Sequence, residues 1–180
     1  NPIISDDDNA TTSIGETITL NALSTPNRLG QVSSLSWDFD GDGIEDDSGM
    51  IVDASWDSPG TKTVNLTASS PTGASMTTSH NVEVQDLEIP VAVITGNGIR
   101  GLNGEWRLLR IADLQLSAVS SFDDDLISSN SWSIDGEPFS SATLITVSWS
   151  EIGSHLIKLT VTDGSGNIGF VNTTVVVYDS

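Results

Sequence analysis

The feature that most constrains this chain is that it carries one sequence twice. Residues 54–86, ASWDSPGTKTVNLTASSPTGASMTTSHNVEVQD, lie without a gap on residues 147–179, VSWSEIGSHLIKLTVTDGSGNIGFVNTTVVVYD, at an offset of 93. Trp56 falls on Trp149, Gly60 on Gly153, Leu66 on Leu159, Gly73 on Gly166, Val84 on Val177 and Asp86 on Asp179. Upstream, SLSWDFDGDG falls on SNSWSIDGEP and pairs Trp37 with Trp132. A repeat of this length is one folding unit copied, not a solenoid turn, because about 90 residues can bury a core of their own. We therefore expect two domains, 1–87 and 88–180, joined at the short stretch DLEIP.

Each copy reads as strands. ETITLNAL, LSWDF, KTVNLTA, HNVEVQ, LQLSAV, HLIKLTVT and NTTVVVY alternate polar and apolar residues at period two. That is the pattern of a strand with one buried face. Clusters of Gly, Pro, Asn and Asp separate them. GEWRLLRIADL, Gly104 to Leu114, is the nearest approach to a helix, yet the alternation runs through it and predicts strand. Seven or so strands per copy predict an all-β chain of two tandem antiparallel β-sandwiches.

Charge narrows the partners. The chain has 25 acidic and 6 basic residues, a net charge of −19. Such a field repels nucleic-acid phosphates and anionic membranes, so neither is an expected partner. No stretch approaches the roughly 18 apolar residues needed to cross a bilayer, and the sequence opens without a leader pattern, as expected of a mature or excised segment. There is no cysteine, which excludes disulfides and thiolate metal sites. Abundant Ser and Thr, scarce Lys and three Asn-X-Ser/Thr sequons at Asn9, Asn65 and Asn172 point to an extracellular or cell-surface setting.

The punctuation within each copy resembles the PKD domain, an immunoglobulin-like sandwich of extracellular proteins. Trp37-Asp38-Phe39-Asp40-Gly41-Asp42-Gly43, then Trp56-Asp57-Ser58-Pro59-Gly60, then Val64-Asn65-Leu66-Thr67 follow its signature in the first copy. Leu159-Thr160-Val161-Thr162-Asp163-Gly164 follows it in the second, whose earlier part has drifted to Trp132-Ser133-Ile134-Asp135-Gly136. The resemblance implies that Trp37 and Trp132 lie in the core and that Trp56 and Trp149 pack at the sandwich edge. It implies a spacer, adhesion or accessory module rather than an enzyme. The segment GNGIRGLNGEWRLLRIAD departs from the family; it brings Trp106 together with Arg100, Arg107 and Arg110.

Two acidic runs are candidate calcium sites. In WDFDGDGIEDD, Asp38, Asp40, Asp42 and Gly43 reproduce the first half of an EF-hand loop, whose alternate carboxylates converge on one hard cation. The twelfth position is Gly49 and no helices flank it, so an EF-hand is excluded; a hairpin-borne loop closed by Asp46 or Asp47 stays open beside a solvated turn. The second run is Phe122-Asp123-Asp124-Asp125, where related collagenase modules bind calcium; the resemblance implies Asp123, Asp124 and Asp125 as ligands. SDDDN at residues 5–9 reads as a frayed terminus, with ligands at a junction to a preceding module as the alternative, and Asp163-Gly164 as a hairpin turn, with metal as the lesser reading.

No motif carries catalysis. The two histidines, His80 and His155, stand at different points of the repeat, carry no partner signature in the sequence and read as chance surface residues. No Gly-X-Ser-X-Gly, His-Glu-X-X-His or phosphate-cradling loop occurs. Trp106 and Arg107 are the candidate partner-binding residues, but Trp106 reads first as packing over a core edge, with an exposed anchor as the alternative. The sequence thus predicts a non-catalytic structural, adhesive or spacer module, calcium its one candidate cofactor and a protein or polysaccharide of a surface its candidate partner. The alternatives are an accessory substrate-binding module of a secreted hydrolase, or a self-associating filament or surface-layer subunit.

Overall fold

The structure, a computed structural model, describes residues 2–6, 11–25 and 32–179. The described residues contain only strands, turns and loops, and no helix among them is long and apolar enough to cross a membrane. The chain divides into two compact units, Asn1–Leu87 and Glu88–Ser180, here modules 1 and 2.

Module 1 holds β1 (Ser5–Asp6), β2 (Thr11–Ser13), β3 (Ile18–Asn21), β4 (Ser34–Asp38), β5 (Asp47–Ser48), β6 (Ile51–Ala54), β7 (Gly60–Ser69) and β8 (Ser75–Gln85). One sheet runs β1-β3-β6 and the other β2-β8-β7-β4-β5. Module 2 holds β9 (Thr95–Gly96), β10 (Ile99–Arg100), β11 (Trp106–Leu109), β12 (Leu114–Ser117), β13 (Ile127–Ile134), β14 (Glu137–Ser140), β15 (Leu144–Val147), β16 (Gly153–Asp163) and β17 (Ile168–Tyr178). Its sheets run β15-β12-β9 and β10-β11-β17-β16-β13-β14. The two modules share one strand plan. In each, a short early strand pairs parallel with the last strand, β2 with β8 and β11 with β17, and all other pairs are antiparallel.

The register follows the repeat. Leu66 sits opposite Thr78 on β8, and Leu159 opposite Val171 on β17. Inward positions are β-branched or aliphatic. Val64, Leu66 and Val82 are fully buried in module 1, as are Ile157, Leu159 and Val161 in module 2. Trp37 and Trp132 are also fully buried, and their indole N–H groups donate to the carbonyls of Gly49 at 2.9 Å and Ala142 at 2.8 Å. A buried indole N–H gains from such an acceptor, so each of these two loops is tied to the core.

The stretch 104–114 is strand, turn, strand: β11, a turn at 110–113, then β12. The turn is unusual. Ile111 has φ of 66°, while Gly15 occupies the same place in module 1 with φ of 71°. Ile111 N–H donates to Trp149 O at 2.7 Å, and Gly15 N–H to Trp56 O at 2.9 Å. One backbone requirement is met by glycine in one copy and by a β-branched residue in the other. Ser5 and Asp6 are not frayed: as β1 they pair with Asn21 and Leu20. The remainder of the SDDDN run and the Asn9 sequon lie outside the described residues.

Candidate metal sites and exposed surfaces

In module 1 the acidic loop is built from its own carboxylates. Asp38 ends β4; its Oδ1 accepts the N–H of Gly41 at 2.6 Å, and its Oδ2 accepts Gly43 N–H at 3.1 Å and the Asn65 amide at 3.3 Å. Asp40 accepts Asp42 N–H at 3.0 Å, and Asp42 accepts Ile44 N–H at 2.7 Å. Asp46 accepts Phe39 N–H at 2.6 Å, and Asp47 accepts Ser48 N–H at 2.7 Å. Gly41 and Gly43 take φ of 79° and 84°, which turns these donors inward. Partial burial alone would raise the pKa of Asp38; the Asn65 amide and the main-chain donors outweigh it and hold the carboxyl below its ordinary range. Asp38, Asp40 and Asp42 do bring carboxylate oxygens within 4.8 Å of one another. Asp40, Asp42, Asp46 and Asp47 are exposed, however, and each already caps a backbone group. The arrangement is that of nested Asx turns, a loop that holds its shape through its own backbone.

In module 2 the geometry differs. Asp163 ends β16 and is 2% exposed. Its Oδ1 accepts three backbone N–H groups, from Ser165 at 2.9 Å, Gly166 at 2.6 Å and Asn167 at 2.8 Å. Burial alone would raise its pKa; the Asn167 side chain and these three donors together hold it below the ordinary carboxylate range. Its Oδ2 is also buried and has no hydrogen-bond partner. Within 4.8 Å lies a carboxylate oxygen of half-buried Asp123. Asp125 sits alongside: its Oδ2 is 3.1 Å from where a Cβ on Gly164 would be. Asp124 is exposed. Ser128 Oγ donates to the carbonyls of Thr162 at 3.0 Å and Asp163 at 2.5 Å, which pins the acidic loop to the end of β16. Two carboxylates face each other with a buried oxygen left over, an arrangement that a hard cation relieves. The chemistry of the donor set, oxygen only, fits calcium or magnesium and not a thiolate-seeking metal.

Sequence reasoning took Asp163 for a hairpin turn. It does cap the turn, with one oxygen; burial of the other is a tertiary fact that the motif does not carry.

Trp106 is not an exposed anchor. It is 3% exposed and packs into the core of module 2 with Leu108, Leu114 and Leu116, while the Arg100 guanidinium covers its ring at 3.5 Å. A Cβ at Gly96 would clash with Gln115 O and Leu116, and one at Gly98 with Leu114, and either would crowd the ring at 3.0 or 3.2 Å, so these glycines form the floor on which it lies. Arg107, next along β11, points the other way and stands exposed over the Tyr178 ring at 4.9 Å. Arg110 pairs with Asp179 at 3.2 Å.

His155 does have partners, contrary to expectation. Its ring stacks on Trp149 at 4.4 Å, and its Nδ1 lies 2.7 Å from Asp135 Oδ2. Asp135 in turn accepts Leu156 N–H at 2.8 Å. The pairing of Asp135 with His155 spans 20 residues, from the end of β13 to β16. Among the described residues no hydroxyl donates to His155, so the pair is not joined to a nucleophile.

A family model described as the PKD domain matches residues 1–85. Similar solved structures include the fibronectin(III)-like modules of Clostridium thermocellum CbhA, 17% identical over 98% of this chain and 95% of that one, with a TM-score of 0.42. They also include the PKD1 domain from Vibrio cholerae metalloprotease PrtV, 27% identical over 52% of this chain and all of that one, at 0.40. The PKD1 domain of Vibrio anguillarum Epp is 21% identical over 52% and 98%, at 0.41. No curated protein sequence matches the chain. Residues 1–85 thus match the PKD domain, and the second module of this all-β chain repeats the first in sequence and strand plan.

Proposed function

We propose that the chain is a non-catalytic structural module of a surface or secreted protein, and that module 2 takes calcium at Asp123 and Asp163. The observation that supports this most is the buried, partnerless Oδ2 of Asp163 beside Asp123. A carboxylate removed from water without a donor is costly unless a cation meets it. Asp125, Asp124, loop carbonyls and water would complete the six to eight oxygens that calcium takes. The role of the ion is mechanical: it ties the 122–125 loop to the turn after β16. The acidic loop of module 1 is assigned no ion, because its carboxylates already cap its backbone.

A spacer or adhesive role follows from a fold whose acids and aromatics serve its own turns and core. An ion that binds only the folded state stabilises it by about 2.7 kcal/mol at a hundred times its dissociation constant. Thermal unfolding in calcium and in EDTA tests this. The melting transition rises in calcium and falls on chelation. Identical melting in both refutes the metal assignment.

A further inference from the structure

The repeat makes each module a control for the surface of the other. In module 1 the outward positions of β7 and β8 are polar and satisfied across the strands. Thr61 donates to Glu83 at 2.8 Å, Thr63 to Asn81 at 3.1 Å and Ser79 to Asn65 at 2.7 Å, and Thr67 bonds Thr77 at 2.8 Å. The face is closed on itself.

Module 2 places different chemistry on the same grid. Its outward pairs are Ser154 with Val176, Leu156 with Thr174, Lys158 with Asn172, Thr160 with Phe170 and Thr162 with Ile168. Phe170 is 62% exposed, Ile168 57% and Leu156 48%. Lys158 Nζ rests 4.5 Å from the Phe170 ring. On the neighbouring strands Arg107 lies over Tyr178, and Ile99, opposite Arg107, is 68% exposed. No outward position of β16 or β17 is a carboxylate. A face that sets Leu156, Phe170 and Ile168 and two cations among neutral polar side chains, on a chain of net charge −19, is a selective surface.

The complement lies on the same chain. Module 1 has fourteen acidic residues and two basic ones. Its loop between β4 and β5 presents Asp40, Asp42, Glu45 and Asp46, with Ile44 67% exposed among them. That loop offers an apolar residue ringed by carboxylates; the face on module 2 offers apolar side chains with cations. We propose that the outer face of the large sheet of module 2 docks the acidic loop of module 1 of a second copy. Ile44 meets the Leu156–Phe170 strip, and Glu45 and its neighbours meet Lys158 and Arg107. The contact joins unlike surfaces, one from each of two copies. It is weak and screened by salt.

Sedimentation equilibrium of the whole chain in EDTA tests this independently of calcium. At low salt the weight-average mass rises above 18.9 kDa with concentration, and 0.5 M NaCl returns it to the monomer. Arg107→Glu with Lys158→Glu weakens self-association at least about tenfold. Glu45→Lys does the same, at an exposed position whose side chain caps no backbone group. Mixing the two variants restores association, because their reversed charges match. Phe170→Ser weakens it without altering the salt dependence. A monomer at every concentration in low salt overturns the proposal, as does association indifferent to both reversals or a mixture that stays monomeric. Retention on an insoluble polysaccharide through Phe170 by a chain that does not self-associate would give the face a different occupant and likewise overturn it.

Discussion

Ile111→Gly should stabilise module 2. A side chain in the left-handed region costs roughly 1–2 kcal/mol, more for a β-branched residue. Ile111 is held there, φ 66°, by its N–H bond to Trp149 O, a main-chain contact that glycine keeps. The side chain is 74% exposed, so removing it forfeits only a few tenths of a kcal/mol of burial. Against the gain stands the greater freedom of glycine in the unfolded chain, about 0.5–1 kcal/mol. The balance is a gain of about 0.5–1 kcal/mol, or some 2–8 °C in the melting of a domain this size. Module 1 supplies the mirror experiment. Gly15 has φ of 71° with open space around its Cβ position, so Gly15→Ala costs about 1 kcal/mol through the backbone alone. Native-state hydrogen exchange of the β16 amides reads module 2, and that of the β7 amides reads module 1. Unchanged or faster exchange in Ile111→Gly would refute the claim that this turn is strained.

Other consequences can be measured on the same scale. The His155 hydrogen bond and the Leu156 N–H together hold the pKa of Asp135 below its ordinary 3.8. A depressed folded pKa means that the unfolded state binds more protons, so stability is present above about pH 4 and is lost as pH falls through the folded value. Urea titrations of wild type and His155→Ala should therefore differ at pH 6 and converge toward pH 2; a constant difference would exclude this pairing as its source. Gly98→Ala places a methyl against Leu114 and the Trp106 ring and should cost about 1–3 kcal/mol, with a shift in tryptophan fluorescence; an unchanged spectrum would mean that the ring does not lie on this floor.

The fold was legible because the information is local or periodic. Trp37 and Trp132 recur at one repeat position within period-two strands, and a fully buried indole is the only way to satisfy both. The acidic runs were legible as chemistry but not as geometry. WDFDGDG and SFDDD look alike in composition; nothing in either says that the first spends its oxygens on Gly41, Gly43 and Ile44, while the second meets a buried Asp163 some 40 residues later. Packing is the first sequence reading of Trp106, and it is buried; the further signal is the pair Gly96 and Gly98, whose missing side chains make room for the ring. His155 lacked a local partner because Asp135 reaches it across a strand pair, and such pairings follow only from register.

The central claim is that the cation site of this chain is in module 2 and not in the EF-hand-like loop. Calcium calorimetry on wild type, Asp163→Asn and Asp40→Asn tests it most directly. The account predicts one saturable site in wild type, absent in Asp163→Asn and intact in Asp40→Asn. Binding that survives Asp163→Asn and vanishes in Asp40→Asn would contradict it, and would return the ion to WDFDGDGIEDD.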